Sequence, residues 1–307
     1  MQKIVTIGGG TGQYQILRGL KNYECDITAV VTMADDGGSS GKLRDEYGVL
    51  PPGDFRQCLV ALAEGERGAI LRDLFNYRYG EDNVGNLIIA TLTNLYGSSE
   101  GLKSANTLFS LDNSNVLPVT TDDVTLCANT KKGKYLKGET NLDLSLDEDD
   151  AIEEVFYEPV PFLYKETGKA IRAADKIVIC SGDLYRSIIP SLIVKGMPDA
   201  IKESSAMKIY VCNLFTKKGT FGFKASDFVK EIERCSEVTL DKIIMNTKIP
   251  SEEIRGKYLL ENSSFVENDM QDDKRIVVGD YVREYPSERK TLFRHVPEKI
   301  AKEIIAL

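Results

Sequence analysis

Five short runs of apolar, mostly β-branched residues constrain the fold of this chain more than any other feature. They have the sequences KIVTIGG, ITAVVTM, KIVICS, KIYVCN and KIIMNT, and they begin at Lys3, Ile27, Lys176, Lys208 and Lys242. Because each run is apolar on both faces, each is typical of a parallel strand covered by helices. Stretches with helical periodicity lie between them. This alternation predicts an α/β fold with a doubly wound, mostly parallel, Rossmann-like sheet and helices on both faces.

One segment, residues 116–161, interrupts the alternation. Its TKKGK turn, Thr130 to Lys134, lies between alternating runs and predicts a β-hairpin inserted into the scaffold. The sequence contains no long linker, repeat or low-complexity tract. We therefore predict one domain, 1–307, with a β-hairpin insertion around 116–161, although the two groups of strands could also form two lobes.

Charge and composition narrow the class of function. The chain has 307 residues, of which 42% are apolar, and its net charge is −8. This charge argues against a nucleic-acid partner, because contact with phosphates needs a basic face. The apolar run near the N-terminus is too short for a signal peptide or a membrane helix. We therefore expect a cytoplasmic protein without a membrane segment, and the sequence leaves a homo-oligomer open.

The cysteines and the single histidine limit the chemistry further. The six cysteines form no CxxC pair and match no zinc-binding spacing, so we expect small buried thiols in a reducing compartment. His295 is the one histidine of the chain, which excludes any site built from several histidines.

A glycine-rich turn, GGGTG, joins the first predicted strand to the first helix. Such a turn lets the backbone approach a ligand, and a helix N-terminus offers free N–H groups to an anion. The dinucleotide fingerprint G-x-G-x-x-G is incomplete, because Gln13 stands at its third glycine, and the P-loop lysine is absent. The turn predicts a phosphate or nucleotide site without deciding which, and a purely structural tight turn remains an alternative. Its candidate ligand-binding residues are Gly9, Gly10, Thr11 and Gly12.

The segment ADDGGSSGKLR follows the second predicted strand. Two adjacent acids beside two serines suit a hydrated magnesium ion, because hard cations prefer oxygen ligands. Glycines would let the loop wrap a ligand, and Lys42 and Arg44 could neutralise phosphate. Asp35 and Asp36 are therefore candidate metal ligands, and a solvated loop is the alternative. The candidate ligand-binding residues are Asp35, Asp36, Gly37, Gly38, Ser39, Ser40 and Arg44.

Two further segments carry candidate residues at helix starts. In PPGDFRQCL, Gly53 turns the chain and Asp54 can cap a helix, whereas Arg56 in the first turn is unfavourable unless an anion lies nearby. In CSGDLYRSIIP, a strand again leads through glycine into a helix, at an edge where open α/β sheets bind ligands. Its candidates are Gly182, Asp183 and Tyr185; Asn213 and Asn246 end the next two strands at the same edge.

The motifs in this order resemble the CofD-like superfamily, and most of all its bacterial branch, the gluconeogenesis factor (YvcK-like) family. They are GGGTG, ADDGGSSGKLR, PPGDFRQCLVALA, GNL, DVTLCA, SLIVKG, YVCNL, SDF and RHVPEKIA, and the similarity covers nearly the whole chain. CofD enzymes transfer lactyl phosphate from a guanosine diphosphate donor with magnesium. They carry a different acidic loop and lack the PPGD stretch, so the resemblance implies the regulatory branch.

For that branch, the resemblance implies a cytoplasmic protein needed for growth and cell shape on gluconeogenic carbon sources. It implies binding of a UDP-sugar such as UDP-N-acetylglucosamine, without an obligatory cofactor and without chemical turnover. The positions that match the family's ligand contacts are Asn86 in GNL, Tyr258 in GKYLLEN and Arg294 in FRHVPEK. Two alternatives stay open: a magnesium-dependent transferase that uses Asp35 and Asp36, and an NAD-binding protein.

The sequence departs from the family pattern at two places. Asp82 and Asn83 precede GNL where the family has a Gly-His-Ser type of approach. Asp183 and Arg186 replace a small residue and a hydroxyl in the CSGDLYRS loop. Because that loop should face the ligand, the second departure bears on which ligand is bound.

Overall fold

The computed structural model of the chain describes residues 1–111, 113–147, 150–286 and 291–307. The strands of this part are, in chain order, β1 (Gln2–Gly8), β2 (Cys25–Val31), β3 (Arg78–Tyr79), β4 (Asp82–Asn83), β5 (Ser114–Pro118), β6 (Thr125–Thr130), β7 (Tyr135–Lys137), β8 (Ile152–Glu158), β9 (Lys176–Ile179), β10 (Met207–Val211), β11 (Lys242–Asn246), β12 (Ile276–Gly279), β13 (Val282–Tyr285) and β14 (Leu292–His295). The helices are α1 (Gly10–Leu20), α2 (Gly38–Tyr47), α3 (Gly53–Leu62), α4 (Gly65–Asn76), α5 (Val84–Tyr96), α6 (Ser98–Phe109), α7 (Glu139–Leu144), α8 (Lys165–Arg172), α9 (Ile189–Leu192), α10 (Met197–Glu203), α11 (Ala225–Ser236), α12 (Glu252–Leu259) and α13 (Pro297–Ala306). A π-helical turn, Leu184–Ile188, leads directly into α9.

A seven-stranded parallel sheet forms the centre of the molecule. Its strand order is β12-β11-β10-β9-β1-β2-β5, and every neighbouring pair runs parallel. From β5 through β1 and β9 to β12 this is the Rossmann order 3-2-1-4-5-6 with one further strand. The predicted doubly wound sheet is confirmed. The order reverses between β1 and β9, which places the topological switch point there.

Both faces of the sheet are buried, as the apolar runs predicted. On β1, Val5 and Ile7 point to one face, and Ile4 points to the other. The first face is covered by α8, α9 and α11, and the second by α1, α3 and α13. None of the helices in the described residues is long and apolar enough to cross a membrane. The six cysteines are unpaired, and all except the partly exposed Cys235 are buried.

Two strands of the central sheet, β5 and β12, were absent from the prediction. Both are edge strands: β5 begins with polar residues and ends at Pro118, and β12 is only partly buried, with Val278 exposed. Edge strands lack the two-sided burial that produces a continuous apolar run. Because Val116–Pro118 belongs to β5, the inserted unit begins after the predicted position 116.

The insertion is an antiparallel sheet of three strands. The predicted hairpin is present as β6 and β7, which turn at Gly133 with φ of 82°. The strand β8 pairs with the other edge of β6, from Thr125 opposite Glu158 to Thr130 opposite Ile152. The short helix α7 follows the hairpin, and its Glu139 contacts Arg186 in the segment after β9.

Candidate functional site

A cavity opens at the carboxyl edge of the central sheet, beside the switch point between β1 and β9. Its volume is about 520 Å³, a size that suits small ligands. The predicted site residues that line it are Gly9, Gly10, Thr11, Gly12, Asp54, Gly182, Asp183, Asn213, Tyr258 and Arg294. Within the described chain, the other predicted residues lie outside this lining: Asp35, Asp36, Gly37, Gly38, Ser39, Ser40, Arg44, Gly53, Arg56, Asn86 and Tyr185.

The glycine turn between β1 and α1 is tightly packed against protein. A Cβ on Gly12 would lie 1.9 Å from the Ser181 carbonyl oxygen, and one on Gly10 would lie 2.8 Å from the Asp54 backbone. Real Cβ atoms do not approach so closely, so glycine is required here for loop-to-loop packing. The glycines therefore bring three chain segments together at the cavity, whatever ligand it holds.

Gln13 fills the place that the third glycine of the dinucleotide fingerprint leaves open. Its side chain is fully buried; Nε2 donates to the carbonyls of Gly8 at 2.9 Å and Val30 at 3.0 Å. Its Oε1 accepts a hydrogen bond from the Thr6 hydroxyl at 2.5 Å. In dinucleotide-binding proteins, glycine at this position allows close helix–strand packing. In this protein the hydrogen-bonded Gln13 side chain lies between helix and strand instead of a glycine, and this disfavours the NAD-binding alternative.

Asp54 is half-buried in the cavity, in the first turn of α3. Burial raises the pKa of its carboxyl to about 7, and the negative charge of Asp35 adds to the increase. The Gly10 amide and the Arg56 guanidinium oppose it. A carboxyl with this pKa exchanges a proton near neutral pH, so Asp54 is chemically the most distinctive side chain of the cavity.

Asp183 and Arg186, which depart from the family pattern in the CSGDLYRS loop, are joined by hydrogen bonds. Asp183 caps the π-helical turn by accepting from the Arg186 amide at 3.1 Å, and it also accepts from Arg186 Nε at 3.0 Å. Arg186 Nη1 lies 3.1 Å from the Glu139 carboxylate of α7. Burial raises the pKa of Glu139 to about 7, although Arg186 opposes this. The loop thereby joins the cavity to the insertion.

An aromatic group forms another side of the cavity. The rings of Phe215 and Tyr258 are stacked, with centroids 3.8 Å apart and planes 11° apart. Phe293 meets Phe215 edge to face at 6.1 Å, and its amide donates to the Tyr258 hydroxyl at 3.3 Å. Lys217 and Arg294 line the cavity next to these residues and are exposed. His295 is buried, and burial lowers its pKa to about 4, so it is neutral at pH 7.

Two other predicted site residues, Asn213 and Tyr185, make their contacts with protein groups. The Asn213 side chain accepts from the Tyr210 hydroxyl at 2.8 Å and donates to the Gly182 carbonyl at 2.6 Å. It lines the cavity but shapes the loop around Gly182. Tyr185 is a correction: its ring is 7% exposed and packs in the core. The side chain points away from the cavity because the π-helical turn buries Leu184, Tyr185 and Ile188 together.

The ADDGGSSGKLR segment is a loop only as far as Gly37, because α2 begins at Gly38. The Asp36 carboxylate accepts from the Thr140 amide at 2.7 Å, which caps α7. Asp35 accepts from the Gly37 amide at 3.0 Å and from Ser40, and burial raises its pKa. Within the described residues, no group of three or more His, Cys, Asp or Glu side chains could hold a metal ion. Two carboxylates that share a magnesium ion with a ligand phosphate would not form such a group, so magnesium at Asp35 and Asp36 stays a prediction.

The two arginines assigned to anions bond to protein groups. Arg44 is largely buried and connects α2 to the insertion through the Asp123 carboxylate, at 3.0 Å, and the Val124 carbonyl. Arg56 donates to the Phe75 carbonyl at 3.2 Å and to the Asn76 side chain at 2.7 Å, at the C-terminal end of α4. A cation is favourable at a helix C-terminus. That contact explains Arg56 without a bound anion.

The two residues that precede GNL, Asp82 and Asn83, also contact protein groups. Asn83 caps α5 by accepting from the Asn86 amide at 3.0 Å. The Asn86 side chain accepts from Arg56 Nε at 2.9 Å and donates to the Ser39 hydroxyl at 3.4 Å. The other departure, Asp82, lies 3.5 Å from Lys42 on the surface. These residues connect α2, α3 and α5 behind the cavity.

Sequence reasoning missed several lining residues: Gln15, Ser181, Leu214, Phe215, Lys217, Leu292 and Phe293. Phe215 and Lys217 follow Asn213 at the carboxyl end of β10, so the rule that ligands bind at this edge could have found them. Glu139 carried no such signal, because its approach to Arg186 depends on how the insertion folds back.

The fold and the cavity define a class of protein, and comparison with known families agrees. Residues 4–282 match the family model of the 2-phospho-L-lactate transferase CofD. A crystal structure of a Bacillus halodurans protein superposes with a TM-score of 0.91 at 35% identity and covers 99% of each chain. The chain is thus a CofD-like protein.

Curated relatives define the family within that class. The gluconeogenesis factor of Bacillus subtilis is 35% identical, over 99% of this chain and 98% of its own length. The gluconeogenesis factor of Halalkalibacterium halodurans is 36% identical, over 99% and 96%. A Thermotoga maritima protein named for the same family is 42% identical over 98% of each chain. This chain belongs to the gluconeogenesis factor family.

Proposed function

We propose that this chain binds a nucleotide sugar, of the UDP-N-acetylglucosamine type, in the cavity at the switch point. The observation that supports this most is that Tyr258 and Arg294 line the same cavity as the glycine turn. The two residues lie on different elements, α12 and β14. They are the positions that the family resemblance implies for a sugar nucleotide.

The chemistry of the lining suits the parts of such a ligand. The stacked Phe215–Tyr258 pair offers a flat apolar surface against which a base can pack. The Lys217 and Arg294 side chains supply positive charge for a diphosphate. Polar groups beside the glycine turn remain for the sugar. The cavity volume of about 520 Å³ is adequate for one ligand of this size.

We propose a regulatory role without turnover in the cytoplasm, connected with growth and cell shape on gluconeogenic carbon sources. Magnesium is not required for ligand binding in this proposal, because Asp36 caps α7 and Asp35 bonds within its own loop. The match to the CofD model favours one alternative, a transferase with a nucleotide diphosphate-linked donor. That alternative requires product formation and magnesium dependence.

A thermal-shift series with UDP-sugars, UDP, GDP, GTP and NAD tests the proposal. A ligand present at 100 times its dissociation constant should stabilise the protein by about 2.7 kcal/mol. We expect UDP-N-acetylglucosamine to raise the melting temperature equally with magnesium and with chelator. A shift with GDP or NAD but not with UDP-sugars would contradict the proposal, and release of a phosphoryl product from the donor would establish the transferase.

A further inference from the structure

The outer face of α4 and the segment that follows it expose four large apolar side chains. Ile70 is 69% exposed and Leu74 is 43% exposed; Tyr77 and Tyr79 are 54% and 72% exposed. Phe75 is buried on the opposite side of the helix. In the part of the chain that the structure describes, this side of α4 therefore faces solvent.

The four side chains, which we call the α4 patch, form one surface. Ile70 and Leu74 are one helical turn apart, and residues at this spacing lie on the same face. The Tyr77 amide donates to the Leu74 carbonyl at 3.2 Å, which continues the last turn. The Tyr77 and Tyr79 rings meet edge to face, with centroids 5.1 Å apart. At about 200 Å² for a whole tyrosine side chain, these two rings alone expose roughly 250 Å², and exposed apolar patches of several hundred Å² indicate interaction sites.

The charged side chains beside the patch indicate which partner fits it. Glu66 and Arg67 lie at the N-terminal end of α4, Asp73 and Arg78 lie near its C-terminal end, and all four are exposed. Their order along the chain is negative, positive, negative, positive. A second α4 that runs antiparallel to the first would place Glu66 opposite Arg78 and Arg67 opposite Asp73. A parallel one would place like charges together.

The two arginines can form these ion pairs in addition to the bonds that they already make. Arg67 donates to one backbone carbonyl at 2.7 Å, and Arg78 donates to another at 2.9 Å. A guanidinium has five N–H donors in a fork that also fits a carboxylate.

We propose that the α4 patch is the contact surface of a symmetric homodimer, in which the two α4 helices pack antiparallel across a twofold axis. A twofold axis brings the same surface of both copies together, so that surface must be complementary to itself. An apolar centre with this order of charges meets the condition. A partner with one sign of charge would instead meet a like charge at both ends of α4. Because the contact is small, the dimer is reversible rather than permanent.

Sedimentation velocity over a concentration series measures the association. Between about 1 and about 500 µM, wild-type protein should pass from monomer to dimer. Ile70→Glu should raise the dissociation constant of the dimer about a hundredfold, because a twofold contact carries the buried charge twice. Ile249→Glu is the matched control, since Ile249 is 66% exposed on the loop after β11, outside the patch. It should leave the dissociation constant unchanged, and melting curves should show that both variants are folded.

Charge reversal tests the antiparallel arrangement. Glu66→Lys and Arg78→Glu should each weaken the dimer, because each substitution places like charges opposite one another. An equimolar mixture of the two variants should form a heterodimer more tightly than either variant forms a homodimer. In that mixture every contact between positions 66 and 78 again joins opposite charges.

Three results would overturn the proposal. Wild-type protein that stays monomeric across the concentration series would exclude a second copy as the partner and leave the surface to another protein. A dimer that Ile70→Glu weakens no more than Ile249→Glu does would place the contact elsewhere on the molecule. A mixture that associates no more tightly than its two components would exclude the antiparallel arrangement.

Discussion

The segments that follow β2 and β9 have similar compositions but different roles. Each contains glycine, aspartate, serine and a basic residue: ADDGGSSGKLR after β2 and CSGDLYRSIIP after β9. After β9, Asp183 and Arg186 line the cavity. After β2, Asp36 and Arg44 bond to the insertion at Thr140 and Asp123, and the chain enters α2.

The position of the strand in the sheet explains this difference. The strand β9 adjoins β1 at the switch point, where two helical connections diverge and leave a crevice. The strand β2 lies on the far side of β1, and the insertion covers its end. Glycine and acidic residues at a strand end therefore indicate a ligand site only where the topology leaves space for one.

The test with the largest expected effect replaces one glycine with alanine in each region, Gly12 at the switch point and Gly38 after β2. In Gly12→Ala the new Cβ would lie 1.9 Å from the Ser181 carbonyl, so the loops at the switch point must separate. We expect a loss of about 3 kcal/mol in the free energy of unfolding together with loss of ligand binding. In Gly38→Ala nothing lies within 4 Å, and only the φ of 50° is unfavourable.

Gly38→Ala should therefore lower the free energy of unfolding by about 1 kcal/mol and leave ligand affinity unchanged. Urea denaturation and calorimetry measure both quantities. Equal destabilisation by the two substitutions would contradict the view that loop packing at the switch point is tighter than at the end of β2.

The second test compares two arginines that the sequence assigns to anions. Arg294→Ala should weaken nucleotide-sugar binding by about 2 kcal/mol, because one charge-assisted contact is lost. Arg44→Ala should leave that affinity unchanged and lower stability instead, because Asp123 and the Val124 carbonyl lose their donor. Calorimetry measures the ligand affinity of both variants, and melting curves measure their stability. Unchanged affinity in Arg294→Ala would contradict its place in the site.

The third test uses the pH dependence of stability. The folded protein keeps Asp54 protonated up to a pH of about 7, whereas the ordinary pKa is 3.8. The folded state therefore binds more protons between these values, and the free energy of unfolding falls as pH rises through this window. Because solvent in the cavity screens the group, we expect about 1–2 kcal/mol rather than the full shift.

Asp54→Asn should remove this contribution. Its stability relative to wild type should rise between about pH 4.5 and about pH 7.5, as measured by urea denaturation at each pH. Glu139 also titrates near 7 in both proteins, so only the difference between them reports on Asp54. A constant difference across this range would show that the Asp54 pKa is not raised.

The sequence predicted the central sheet well because two-sided burial leaves a strong local signal. It missed β5 and β12 because edge strands are polar or short, and it missed α2 because its two glycines, Gly38 and Gly41, disfavour a helix intrinsically. Gly41 is required there by packing, since a Cβ would lie 1.9 Å from the Asp36 carbonyl. The contact between Glu139 and Arg186 depends on tertiary folding and has no local signal.

The smallest expected effect concerns Asp36, where a metal–phosphate role and a structural role give different results. The structure shows its carboxylate capping α7 at the Thr140 amide. Asp36→Ala should then cost about 1 kcal/mol of stability, while Asp36→Asn should cost much less, because asparagine caps about as well as aspartate. Neither variant should change nucleotide-sugar affinity with magnesium or with chelator. If Asp36→Asn instead lost a magnesium-dependent part of the affinity, the segment after β2 would be a ligand loop after all, and its likeness to the segment after β9 would extend to function.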